Sequence, residues 1–421
     1  MKPQHTPVLF FVVVFTGLVV FLFLKPNAQE NKDHVWRLDL AQQNKHQIPE
    51  NWTRELNLTH LRERNGAFWQ TTPSGVQVQT TLDPALQIFF EQEFTKYELP
   101  YAAAVVIHLP DGEVRALAGR SQADPRLTPG ELALTPWAPA ASLFKIITAL
   151  ALLSDPSFDP QETVCFSGGK SGIQEHHMID PPPENKKTVC ENLETALANS
   201  SNVVFGKLAR RRLNVRRLQE VAAACGFNQS LPFEFEVERS MFRLSEDDPD
   251  PMALPRTAAG FGHTSMSPYH AAWLAAFIAA DGVAAPIHMI QRAWDPSGHE
   301  IFIKRPQQEV IPRFPDVSKL RRMLATTVET GTAREGFFRG EQRLVPVSVG
   351  GKTGTLTRQE PAVLTYSWFI GYFPVDNARW AFSVLVVNPE KWRTKAAHIS
   401  ARLVNRLLEL EKEAAKTTMG D

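Results

Sequence analysis

Cysteine is scarce. The chain carries 3 in 421 residues, too few for a disulfide-built scaffold. Cys165 and Cys190 bracket a polar, Pro-rich stretch and are expected to pair if the chain is exported, whereas Cys225 in VAAACGF reads as a small buried hydrophobe. An alternative set of Cys165, His176, His177 and Cys190 has the donor types of a zinc site. Adjacent histidines and 24 intervening residues, however, match no usual ligand spacing. An excess of one charge sign is also missing. Lys+Arg and Asp+Glu number 45 each, so no global field draws in a polyanion and nucleic acid is not an expected partner. Internal repeats and low-complexity tracts are absent, which argues against a solenoid or an extended disordered array.

One long apolar run is present. Val8 to Leu24 (VLFFVVVFTGLVVFLFL) holds no charge and would span about 25 Å as a helix, near the lower limit for crossing hydrocarbon. A cleavable signal peptide is the alternative, but Pro26 spoils the small-x-small cleavage pattern just after the run. Residues 8–24 are therefore expected to be an uncleaved transmembrane signal anchor. Residues 25–75 are polar without sustained period and read as a linker or small juxtamembrane element.

The globular pattern begins at Val76. QVQTTLDPALQIFFEQEFTKY reads as a short strand and then a helix capped by Asp83 with Pro84 at its first position. AAAVVIHLPDGEVRALAGR places two apolar runs around Pro110-Asp111-Gly112, a hairpin signal. A long helical middle from Ser142 to about Ala280 is expected next. VSVGGKTGTL, TYSWFIGYFP and RWAFSVLVVN supply three more strands. Ile399, Leu403, Leu407 and Leu410 repeat at three to four residues in a closing amphipathic helix, expected to fray after Glu411. Two strands, a helical insert, three strands and a last helix predict an α+β domain over 76–410: an antiparallel sheet packed by helices.

Three short motifs carry the chemistry. Ser142-Leu143-Phe144-Lys145 opens a segment, IITALALL, that is apolar all round and so expected to be buried. A serine hydroxyl needs a base within hydrogen-bond reach, and a lysine three residues on lies on the same helical face. Burial lowers a lysine pKa towards the value such a base requires. Ser200-Ser201-Asn202 sits at a break between two helical segments. There Ser200 is placed to relay a proton and Asn202 to hold a backbone amide, although such residues also cap helices routinely. Lys352-Thr353-Gly354-Thr355 lies in a strand setting. Lys352 with the Thr353 and Thr355 hydroxyls suits a terminal carboxylate, and Gly354 lets a substrate backbone approach the strand edge. The N–H groups of Ser142 and Thr355 would form an oxyanion hole.

Each motif alone is common; their ordered co-occurrence is not. By these three motifs the chain resembles the penicillin-binding transpeptidase family. The segments QTTLDPALQ, ANSSNVVFGKLA, AAGFGHTSMSPYHAAWLAAFIAADG and LATTVETGTA are similar to stretches of that family too. The resemblance implies a β-lactamase/transpeptidase-like fold, with a five-stranded antiparallel sheet between helices and an all-helical subdomain. Where the family usually has Gly before the serine and Pro after the lysine, this chain has Ala141 and Ile146. Neither change removes a catalytic group. Only about 50 polar residues separate the apolar run from the body, so no glycosyltransferase domain is expected.

The resemblance therefore implies a membrane-anchored, single-pass peptidoglycan D,D-transpeptidase with its catalytic domain on the periplasmic side. Ser142, Lys145, Ser200, Asn202 and Lys352 are its expected catalytic residues, and Thr353, Gly354 and Thr355 bind substrate. Stem peptides ending in D-Ala-D-Ala, β-lactams, the membrane and a separate glycosyltransferase are the expected partners. No metal or organic cofactor is required, because a serine, a lysine and an oxyanion hole cover the reaction. The alternatives are a D,D-carboxypeptidase and a non-enzymatic penicillin-binding sensor or scaffold. A β-lactamase is disfavoured, since no acidic residue is placed by motif to activate a deacylating water.

Overall fold

The computed structural model describes residues 52–182, 185–283, 286–303, 317–360 and 362–420. The apolar run at 8–24 lies outside them. Among the described residues no helix is long and apolar enough to cross a membrane.

Three short strands come first, β1 (Arg62–Arg64), β2 (Ala67–Thr71) and β3 (Gln77–Thr80), each antiparallel to the next. Helix α1 (Pro84–Lys96) follows as its sequence predicts. The Asp83 carboxylate accepts from Ala85 N at 2.8 Å, and Pro84 stands where a missing N–H is harmless. β4 (Tyr101–His108) and β5 (Glu113–Ser121) fold back on each other about Gly112. A single 3-10 turn, Ala141–Leu143, leads into α2 (Phe144–Leu153). β6 (Val164–Phe166) pairs with β7 (Val189–Glu191), and α3 (Leu193–Asn199) meets α4 (Asn202–Arg212) across Ser200 and Ser201. α5 (Pro268–Ala279), β8 (Ile290–Trp294), β9 (Glu300–Ile303) and α6 (Val317–Glu329) complete the middle. The chain closes with β10 (Gly350–Arg358), β11 (Leu364–Phe373), β12 (Trp380–Asn388) and α7 (Ala396–Gly420).

The central sheet has five antiparallel strands in the order β10-β11-β12-β4-β5. Alternate residues of its strands enter two different cores. Val105, Ile107, Trp368, Ile370 and Leu385 face the core that holds α2 and α5. Ala104, Val106, Phe369, Phe382 and Val384 face the core closed by α1 and α7, with Phe90, Phe94, Ile399, Leu403 and Leu407. Both faces being covered, every residue of β12 is buried, which is why its sequence reads as one apolar run. Each Leu, Ile, Val or Phe so buried contributes about 1.5–3 kcal/mol. β10 is an edge strand, and among the described residues no strand pairs with its outer edge.

Three expectations need correction. Residues 25–75 do not all behave as a linker, because β1 and β2 belong to a second five-stranded sheet, β1-β2-β3-β8-β9, and Trp52 is buried against Phe302. Those strands are short and polar outward, and β3 pairs with β8 more than 200 residues away, so no local periodicity reveals them. Nor is the middle all-helical: it contains the β6–β7 ladder and a second small pair, Met241–Arg243 with His263–Ser265. Finally, the last helix does not end near Glu411 but continues to Gly420. Glu411 itself accepts from Arg379 Nη2 and Trp380 Nε1, both at 2.7 Å.

Cys165 and Cys190 stand directly opposite each other in the β6–β7 ladder and form a disulfide. That bond takes both thiols out of the alternative zinc set. Cys225 is buried, and burial pushes its thiol up to about 12. Closing a loop of 25 residues restricts the unfolded chain, so a Cys165→Ala/Cys190→Ala variant is expected to lose about 3 kcal/mol in denaturant unfolding. An unchanged midpoint with an unchanged slope would contradict this.

Candidate active site

Two anchors fix the chain just ahead of Ser142. Trp368 Nε1 of β11 donates to Pro139 O at 2.9 Å, and Met266 N donates to Ala138 O at 2.8 Å. Ala141 then takes φ 50°, a left-handed conformation that costs a residue with a Cβ about 1–2 kcal/mol. This is the position at which the sequence has Ala in place of Gly. Gly260, at φ 95°, packs over the turn so closely that an added Cβ would lie 2.3 Å from the Ala141 carbonyl oxygen. The outcome is a half-buried Ser142 at the mouth of a helix that is buried on every side.

Lys145 is fully buried, and its Nζ meets three oxygens: Ser142 Oγ at 2.8 Å, Asn202 Oδ1 at 2.8 Å and Ala259 O at 2.7 Å. Burial, and then repulsion from Lys352, holds its pKa well below 10.5. A neutral amine has two N–H groups and one lone pair. Asn202 Oδ1 and Ala259 O can only accept, so they take the two N–H groups. In that state the lone pair would face the one partner able to donate, the Ser142 hydroxyl, whereas the protonated amine donates to all three oxygens. Asn202 is itself held in that orientation, since its Nδ2 donates to Ser171 O at 3.2 Å.

The helix joint makes this possible. Ser200 ends α3 in a left-handed conformation at φ 55°, and Asn202 begins α4. The Ser200 hydroxyl makes no hydrogen bond to Lys145 in this structure. Ser201 does not cap α4 through its side chain; its Oγ is buried without a partner among the described residues.

β10 supplies the opposite wall. Lys352 is fully buried, donates from Nζ to Thr353 O at 2.9 Å, and is lowered to about 7 by burial and by the nearby charge of Lys170. Alternation puts Lys352 and Gly354 on the α2 side of the strand, opposite Ile370 and Trp368. A Cβ on Gly354 would come within 3.3 Å of Leu143 and 3.4 Å of Ala140 O. The glycine thus brings the strand against the Ser142 turn. Thr353 Oγ1 pairs with Thr332 Oγ1 at 2.5 Å, and Thr355 is exposed on the edge strand. Ser142, Lys145 and Asn202 are therefore bonded together, with Lys352 close enough for its charge to act on Lys145, while Ser200, Thr353 and Thr355 make no hydrogen bond to that group.

Residues 102–409 match the family described as penicillin binding protein transpeptidase domain. The chain belongs to that family. The peptidoglycan D,D-transpeptidase PbpA of Mycolicibacterium smegmatis is 25% identical over 264 residues, which are 59% of this chain and 49% of that relative. PbpA of Mycobacterium tuberculosis is 23% identical over 353 residues, 76% of this chain and 69% of the relative. The chain thus spans about half to two thirds of the curated relatives it matches. Among solved structures, the D,D-transpeptidase domain of a peptidoglycan glycosyltransferase from Eggerthella lenta superposes with a TM-score of 0.64 at 22% identity, covering 81% of this chain and 85% of that one. An imipenem acyl-enzyme complex of penicillin-binding protein A from M. tuberculosis gives 0.63 at 22% identity, with 80% of each chain covered. These establish the transpeptidase fold.

Three participants escaped the motif reading of this penicillin-binding domain. The Ala259 carbonyl is the third acceptor at Lys145, and its segment AAGFG carries no chemical motif of its own. Thr332, within LATTVETGTA, links α3 to β10 by donating from N to Ala198 O at 3.0 Å while its hydroxyl meets Thr353. Lys170 carries no motif at all. Because Gly260 is both left-handed and jammed against Ala141 O, Gly260→Ala is expected to cost at least about 2 kcal/mol in thermal or denaturant unfolding. Gly298→Ala, at φ 84° in open space, is the control and should cost about 1 kcal/mol. Equal losses at the two positions would contradict the packing argument.

Proposed function

We propose that this chain is a peptidoglycan D,D-transpeptidase anchored by residues 8–24, with its catalytic domain outside the cytoplasmic membrane. The observation that carries the reading is the Lys145 amine held between Ser142 Oγ and two pure acceptors. Lys145 takes the Ser142 proton as Oγ attacks the carbonyl of the penultimate D-Ala. The N–H groups of Ser142 and Thr355 receive the oxyanion, and Lys352 with the Thr353 and Thr355 hydroxyls holds the terminal carboxylate. The C–N bond breaks, a proton reaches the departing D-Ala amine by way of Ser200, and an ester remains on Ser142. An amine of a neighbouring stem peptide then displaces Ser142 and forms the cross-link. β-Lactams stop the cycle at the ester. The glycan strands come from a separate glycosyltransferase.

The deciding assay incubates the protein with a D-Ala-D-Ala stem peptide, with and without an acceptor amine. Cross-linked product that depends on the acceptor and disappears in Ser142→Ala is expected. Hydrolysis alone in the presence of good acceptors means a carboxypeptidase, and neither product with intact penicillin labelling means a sensor or scaffold. The pH dependence follows from the two lowered lysines. Acylation needs Lys145 without its proton, so the rate rises as pH passes upward through that lowered pKa. Carboxylate binding needs Lys352 with its proton, so on the alkaline side the second-order rate falls near pH 7. A rate that climbs steadily to pH 10 would sink these assignments.

A further inference from the structure

Lys170 lies in the loop that the Cys165–Cys190 disulfide closes, and that loop is fastened at several points. Lys207 of α4, with 1% exposure, sends its ammonium to Cys165 O at 2.7 Å, Ile179 O at 2.8 Å and Asp180 Oδ1 at 2.9 Å. Arg211 adds a second bond to Asp180 at 2.5 Å. On its inner side the loop docks on the helix joint of the site. Lys170 O accepts from Asn202 N at 2.8 Å and from Val203 N at 3.3 Å, and Ser171 O accepts from Asn202 Nδ2. The backbone of Lys170 is thereby tied to the same asparagine that orients Lys145. Its side chain is exposed and makes no ion pair among the described residues. Its charge reaches the buried Lys352 and works against it. Two cations close enough to repel, with no anion paired to Lys170 among the described residues, favour a ligand that brings a negative charge.

We propose that Lys170 is a second cationic contact for a carboxylate of the donor peptide, held beside Lys352 by the disulfide-closed loop. The inference rests on the transpeptidase reading. In that reading Lys352 meets the carboxylate from the strand side and Lys170 from the loop side, so the carboxylate's charge offsets the repulsion between the two cations once the ligand is bound. The carboxylate is either the terminal one of D-Ala or one borne by the third residue of the stem. Their chemistry is the same, and the assay separates them.

The test compares wild type, Lys170→Met and Lys170→Arg on a pentapeptide ending in D-Ala-D-Ala, with its third-residue carboxylate free or amidated. With the free peptide, Lys170→Met should raise KM about fivefold with kcat little changed, and Lys170→Arg should restore it. The KM difference should shrink in high salt. The alkaline limb of the rate profile should also move upward in Lys170→Met, because the repulsion on Lys352 is gone. A loss that persists on the amidated peptide assigns the terminal carboxylate, and one that vanishes assigns the third residue. Equal KM values for wild type and Lys170→Met, or a fall in kcat alone, would overturn the proposal. If the wild type neither turns over the peptide nor is acylated by benzylpenicillin, the transpeptidase reading itself fails, and this inference with it.

Discussion

Everything at this site depends on one buried amine with three oxygens around it. Sealing an ammonium inside a protein costs several kcal/mol unless its hydrogen bonds are met. Lys145 satisfies that condition in either protonation state. As a cation it donates to Ser142, Asn202 and Ala259; as a neutral amine it donates to the last two and accepts from the first. Only the Ser142 contact changes sense, so the proton moves along one line and nothing else must rearrange. Burial, and then the charge of Lys352, shift the balance towards the neutral form.

The fold delivers these groups from separate places in the chain. α2 is apolar on all sides because it lies wholly within one core, and that core desolvates Lys145. The Trp368 indole ties the turn before Ser142 to the central sheet, and Gly354 lets the edge strand close on that turn. Thr332 links the end of α3 to β10, so the helix joint, whose Asn202 is bonded to Lys145, is also held to the strand. Ala141 keeps a left-handed backbone under these constraints, which shows how firmly the turn is determined from outside.

Much of this was legible in the sequence, for physical reasons that can be named. The Asp83-Pro84 cap, the hairpin about Gly112 and the buried runs of β11 and β12 are local patterns, and each appears where its pattern lies. The pairing of Ser142 with Lys145 was readable because side chains carry its chemistry, whereas Asn202 was legible only as a residue for a substrate amide and not as the partner of Lys145. Ala259 was not, since a backbone carbonyl has no residue signature. Thr332 was hidden because threonine is common and its partner lies 21 residues away. The second sheet stayed invisible for a related reason. Its strands are short and polar on one side, and what joins β3 to β8 is pairing over a long separation rather than any pattern within either.

The central claim is that Lys145 is a neutral amine aimed at Ser142, and direct titration addresses it. Lysine side-chain NMR on selectively labelled protein, with Lys145 assigned by difference, reads its pKa without recourse to turnover. The account predicts a value well below 10.5 in the wild type. It also predicts an upward shift in Asn202→Asp, where a carboxylate replaces the neutral acceptor. A Lys145 resonance that titrates near 10.5 in both proteins would contradict it.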